Sequence, residues 1–86
     1  MRWRILGAEE RSRIGQFVAV AVAGDDMTAT LVRDYLRTHG VAANFPPVTY
    51  IFRVIPEGTH IWVHYDDEAD ALGLLRQLEM EWYTES

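Results

Sequence analysis

The chain has 86 residues, 49% of them apolar and 24% charged, with a net charge of −5, which suits one ordinary globular domain. It contains no cysteine, so a disulfide scaffold, a zinc ribbon and thiol catalysis are all excluded. No apolar run reaches the roughly 18 residues of a membrane-spanning helix, and Met1-Arg2-Trp3-Arg4 does not open a secretory signal, so a cytoplasmic protein with no membrane partner is expected.

Every basic side chain is an arginine, and the charges are unevenly placed. Residues 1–15 carry four Arg against two Glu. Residues 16–55 balance three Arg with three Asp, and residues 56–86 set one Arg against eight acids. A nucleic-acid binder needs a basic patch to displace counterions from phosphates, and only the short start of the chain is basic. No nucleic-acid partner is expected.

In chain order, Arg2-Trp3-Arg4-Ile5-Leu6 reads as an optional edge strand. Phe17 to Ala23 alternates Val with Ala and predicts a strand, with Val18, Val20 and Val22 on one face and Ala19 and Ala21 on the other. Gly24-Asp25-Asp26 ends it and supplies acidic caps for a helix over 27–39. Ala29, Val32, Tyr35 and Leu36 form that helix's apolar stripe, and Gly40 stands at its C-cap. Residues 41–45 are short and apolar, and Pro46-Pro47 interrupts them. Residues 48–55 and 59–65 read as a hairpin about Pro56-Glu57-Gly58. Asp66 and Asp67 then cap a second helix whose stripe is Ala71, Leu74, Leu75, Leu78 and Trp82. The order strand, helix, strand, strand, helix, with 1–15 as an extension, predicts one α+β domain of the ferredoxin-like plait type.

At this point the residues resemble a known family, the small prokaryotic signal-transducing proteins with a PII-like plait. The resemblance rests on Asp25, Ala29, Leu31, Arg33, Leu36, Gly40, Val41 and Ala43 in the first half. In the second it rests on Ile61, Val63, Asp67, Ala71, Leu74 and Leu75. It covers about half of the chain. It implies a PII-like plait and a regulatory or ligand-sensing role, and it brings no catalytic residues.

Two candidate surfaces emerge from the residues themselves. If Ile61 and Val63 face the helices, then His60, Trp62 and His64 face away, beside Ile51 and Arg53 on the neighbouring strand. An apolar open face of that kind marks an interaction surface, unless the N-terminal segment covers it. The second surface is the acidic start of the last helix, Asp66, Asp67, Glu68 and Asp70, with the aromatic tail Trp82 and Tyr83. Solvation and helix capping are the plainer reading of those acids.

Enzyme chemistry finds little footing. The only serines are Ser12 and Ser86, no Gly-x-Ser-x-Gly elbow is present, and Gly24 stands alone before two acids that would repel a phosphate. His60 and His64 lie about 13 Å apart along a strand, too far to share a metal ion. The dipole at the end of the first helix accounts for His39. Neither cofactor nor metal is expected. The reading is a non-enzymatic module that binds another protein, or a second copy of itself, and regulates or inhibits it. One alternative is a PII-like small-molecule sensor that forms a homo-oligomer. Another is an acidic phage-encoded inhibitor of a bacterial defence complex, of the anti-CRISPR type.

Overall fold

A computed structural model of the chain describes residues 3–45 and 58–84. The fold is α+β. Among the described residues five strands form an antiparallel sheet, and two helices cover one of its faces. The strands are β1 (Trp3–Ile5), β2 (Arg13–Ile14), β3 (Phe17–Ala23), β4 (Ala43–Asn44) and β5 (Thr59–His64). The helices are α1 (Asp26–Thr38) and α2 (Glu68–Thr84), and a 3₁₀ turn (Tyr65–Asp67) leads into α2. β3 and β5 form the centre, β4 flanks β5, and β1 and β2 share the outer edge of β3. The expected hairpin strand over 48–55 lies outside the described residues.

The N-terminal edge is a strand with a piece looped out. Trp3 pairs with Ala23 and Arg13 with Val18, so the edge advances ten residues while β3 advances five. The excess five are residues 7–11, bracketed by the hydrogen bonds Leu6 N to Val20 O (2.9 Å) and Ala19 N to Ser12 O (2.9 Å). Of the edge expected at residues 2–6, Trp3–Ile5 is a strand, and a second short stretch, Arg13–Ile14, resumes it.

A bulge in β3 changes which side chains share a face. Ala19 pairs with Trp62 and Ala21 with Ile61, so Val20 is an extra residue against β5. Strict alternation would put Val22 beside Val18 and Val20, with Ala21 opposite. Instead Val18, Val20, Ala21 and Ala23 all pack toward the helices with Ile61 and Val63. Val22 joins Ala19 and Trp62 on the other side. The expectation for β5 holds, and the one for the second half of β3 is corrected by this bulge.

The helices lie where their apolar stripes predict. Asp25 caps α1, with Oδ1 accepting from Thr28 N (2.7 Å) and Oδ2 from the Thr28 hydroxyl (3.0 Å). At its far end His39 is the C-cap, and Gly40 follows with φ 91°, the left-handed conformation that suits glycine. Ala29, Val32 and Leu36 from α1 meet Ala71 and Leu75 from α2 over the sheet, all fully buried. Gly58 precedes β5 with φ 112°, and a side chain there would run into the Ala23 carbonyl.

The start of α2 departs from expectation. Its lead-in turn is capped by His64, whose Nδ1 accepts from Asp66 N (3.1 Å). Asp66 is thus the capped residue at this turn, and the cap is a histidine at the end of a strand.

Candidate functional site

The two expected surfaces fare differently. On the sheet face away from the helices, His60, Trp62 and His64 do share one side with Phe17, Ala19 and Val22, as their pairing requires. That side is closed at its centre. Trp62 is only 4% exposed and packs in a cluster with Leu6, Ala19 and Val22, bordered by Ile14 and Phe17. Leu6 comes from the N-terminal edge, so the covering by that segment, weighed against an open face, is what the structure shows here. The Trp62 indole N–H is buried with no hydrogen-bond acceptor among the described residues. His60 is half-buried. Arg53 lies outside the described residues.

His64 is held from several sides. Its Nε2 lies 3.2 Å from Gln16 Oε1. Its ring stacks on Tyr65 at 4.7 Å and meets Phe17 edge-on at 6.2 Å. The Arg13 guanidinium covers the other ring in turn, 4.5 Å from the Tyr65 centroid. The His64 Nδ1 accepts the Asp66 backbone N–H, which ties the ring to the turn that follows. The role this geometry gives His64 is the junction between β5 and α2.

The aromatic tail is divided as well. Trp82 is half-buried and sits edge-on to Trp3, with ring centroids 6.1 Å apart, at the rim of the core beneath the helices. Trp82, expected both in the apolar stripe of α2 and in its aromatic tail, packs one side on Trp3 and keeps part of its surface open. Tyr83 lies within α2, and its side chain is outside what the structure describes.

The acidic start of α2 remains on the surface. Asp66 and Asp70 are exposed, and Asp67 and Glu68 are half-buried. Glu68 is engaged, with Oε2 2.7 Å from Arg11 Nε. The same arginine donates to Leu6 O (3.0 Å), so Glu68 anchors the looped-out N-terminal segment. Asp66 Oδ2 lies 3.6 Å from His64 Nδ1. No ion pair engages Asp67 or Asp70 among the described residues.

Asp67 and Asp70 also line a hollow of about 530 Å³ between the end of α1 and the first half of α2, together with His39, Val41, Gly73 and Leu74. A second hollow of about 440 Å³ adjoins it across Gly40 and Val41 and reaches Arg37 and Asn44. Sequence reasoning singled out the two acids but missed the hollow. Its one visible signal was Gly73, a glycine inside a 17-residue helix. Glycine there is less favourable than alanine by about 1 kcal/mol. No close packing demands it, since a methyl group at Gly73 would meet nothing within 4 Å.

The walls of the hollow are firmly placed. Arg37 donates from Nε to Ala43 O (2.8 Å) and from Nη2 to Asn44 Oδ1 (2.9 Å), which ties α1 to β4. His39 Nδ1 lies 2.9 Å from Tyr35 O, and its ring rests against Tyr35 at 4.3 Å. Burial pushes the Tyr35 phenol above its ordinary value, and the Glu81 carboxylate adds to the effect.

Among the described residues no three His, Asp or Glu side chains converge on a point where they could hold a metal ion. Among the same residues no helix is long and apolar enough to cross a membrane. In comparisons with known proteins, no family model, no curated protein and no solved structure matches this chain.

Proposed function

We propose that this is a non-enzymatic protein-binding module that regulates or inhibits a partner through the acidic start of α2. The observation that carries the reading is the placement of Asp66, Asp67 and Asp70 at one corner, turned to solvent or a groove, with no arginine neutralising Asp67 or Asp70 among the described residues. Carboxylates in that setting favour a partner with a basic surface and speed its association. The Trp62 face drops out of this reading because its centre is already packed.

We further propose that the fold is a ferredoxin-like or PII-like plait. β5 inserts between β3 and β4, the split β-α-β arrangement of a ferredoxin-like or PII-like plait. In this chain the outer edge of β3 is filled from the N-terminus by β1 and β2. The kinship with signal-transducing proteins is proposed on the same grounds.

The test is a charge reversal that spares Glu68, whose loss would release Arg11. The triple variant Asp66→Lys, Asp67→Lys, Asp70→Lys should keep the native circular dichroism spectrum. In affinity capture from a lysate it should lose the basic proteins retained by the original chain. Recovery of the same partners by both forms would overturn the reading.

A further inference from the structure

The two hollows adjoin at Gly40 and Val41, which line both, and together make a trough in the surface. We propose that this trough seats an extended, arginine-bearing segment of the partner protein, with one arginine side chain entering the hollow over Gly73. This inference rests on the protein-binding reading above and specifies the chemistry of the partner.

Three observations on different parts of the trough agree. The hollow over Gly73 is of side-chain size or larger, and a side chain added at that position of α2 would start into open space within it. Its rim holds two carboxylates, Asp67 and Asp70, which no ion pair engages among the described residues. Its apolar lining, Val41 and Leu74, suits the methylene stem of a long basic side chain. Arginine fits better than lysine here. Its planar fork donates to two carboxylates at once, and it is more weakly hydrated than an ammonium group. At the other end of the trough, Arg37 is held by Ala43 O and Asn44 Oδ1. The residues lining that end include no carboxylate, which sets the arginine toward α2 and the rest of the segment toward β4.

The probe is a short glycine–serine peptide carrying arginines, with the same peptide bearing glutamine in their place as control. Binding is followed by amide chemical shifts and by calorimetry. The arginine peptide should shift the amides of Gly73, His39 and Gly40, and the glutamine peptide should not. Gly73→Leu fills the hollow without altering any charge and replaces a poor helix former with a good one. It should raise the melting temperature and weaken the arginine peptide at least tenfold. Gly73→Ala, which intrudes less, should weaken it by a smaller factor. Equal binding to the original chain and to a folded Gly73→Leu variant would overturn the proposal. If Gly73→Leu binds normally while the charge-reversed triple variant does not, the acidic corner stands and the trough falls. If neither substitution changes binding, both readings fall.

Discussion

The two faces of the sheet bury apolar side chains by different means. Toward the helices the sheet offers mostly aliphatic residues, Val18, Val20, Ala21, Ala23, Ile61 and Val63, with Trp3 at the edge, and two amphipathic helices close over them. On the other side the cluster is small and built around large groups, Trp62 and Leu6, with Phe17 and Ile14 at its border. The first face is closed mainly by apolar packing, with Arg37 tying α1 to β4 at its border. The second depends in part on a looped-out segment, residues 7–11, which polar links hold. Those links are Arg4 to Glu10, Arg11 to Leu6 O and Arg11 to Glu68. A face that is only half covered by regular structure thus becomes core when a neighbouring edge supplies one well-placed leucine.

The most severe test of this equivalence truncates one large side chain on each face. Leu36→Ala on the helix side should cost about 2–5 kcal/mol, and Trp62→Ala on the other about 3–5 kcal/mol, both read by urea denaturation. A loss below about 1 kcal/mol for Trp62→Ala would mean that the second face is not core. A gentler substitution sharpens the point. The buried indole N–H of Trp62 lacks an acceptor among the described residues, and such a donor carries a desolvation penalty of about 1–3 kcal/mol. Trp62→Phe removes that penalty along with some volume, so its net cost should stay within about 1 kcal/mol. A cost close to that of the alanine variant would show that the N–H is satisfied in solution.

Much of this architecture could be read from the residues. Val-Ala alternation located β3 to the residue, because period-two patterns are written directly in the side chains. Asp25 announced α1 because a cap is a local hydrogen bond, and Gly40 closed it for the same reason. Three features were not legible. The bulge at Val20 is a relation between two strands, and nothing in Phe17–Ala23 alone distinguishes an extra residue from a regular one. The burial of Trp62 depends on Leu6, which arrives from a segment that looked like an optional edge. The hollow beside α2 depends on where the end of α1 crosses α2, which periodicity does not encode. The acids Asp66, Asp67, Glu68 and Asp70 were visible as a group. Their separate fates, with Glu68 anchoring Arg11 and Asp67 and Asp70 lining the hollow, follow only from packing.

The junction between the faces gives the next prediction. His64 sits on the second face, yet its Nδ1 caps the turn that starts α2 on the first. His64→Ala should cost about 1 kcal/mol, the usual penalty for a lost cap. His64→Asn restores a side-chain acceptor near the same backbone N–H and should recover part of that loss in thermal unfolding. Identical melting temperatures for the alanine and asparagine variants would show that the stacking on Tyr65, rather than the cap, is what His64 contributes.

The smallest effect separates the faces by pH. Arg4 grips Glu10 with two parallel hydrogen bonds, 2.9 Å and 2.7 Å, and Gly7 N adds a third at 3.1 Å. The Arg4 hydrogen bond, then that from Gly7, lower the Glu10 carboxyl from 4.5 to about 2. A carboxyl lowered by folding stabilises the native state above its unfolded value, and that stabilisation is lost as pH falls from about 4.5 toward about 2. Glu10 is exposed, so solvent and salt screen the pair and the contribution is modest. Glu10→Gln should therefore be slightly less stable than the original chain at pH 7, with the difference shrinking across that acidic window and with added salt. Because Arg11 of the 7–11 segment donates to the Leu6 carbonyl, fluorescence of Trp62 should report the same difference, read in a background where Trp3 and Trp82 are replaced by Phe. The Leu36→Ala cost, arising from apolar packing, should keep its size over the pH range in which the fold persists. A Glu10→Gln difference that does not change between pH 7 and pH 2 would show that the second face does not depend on this ion pair.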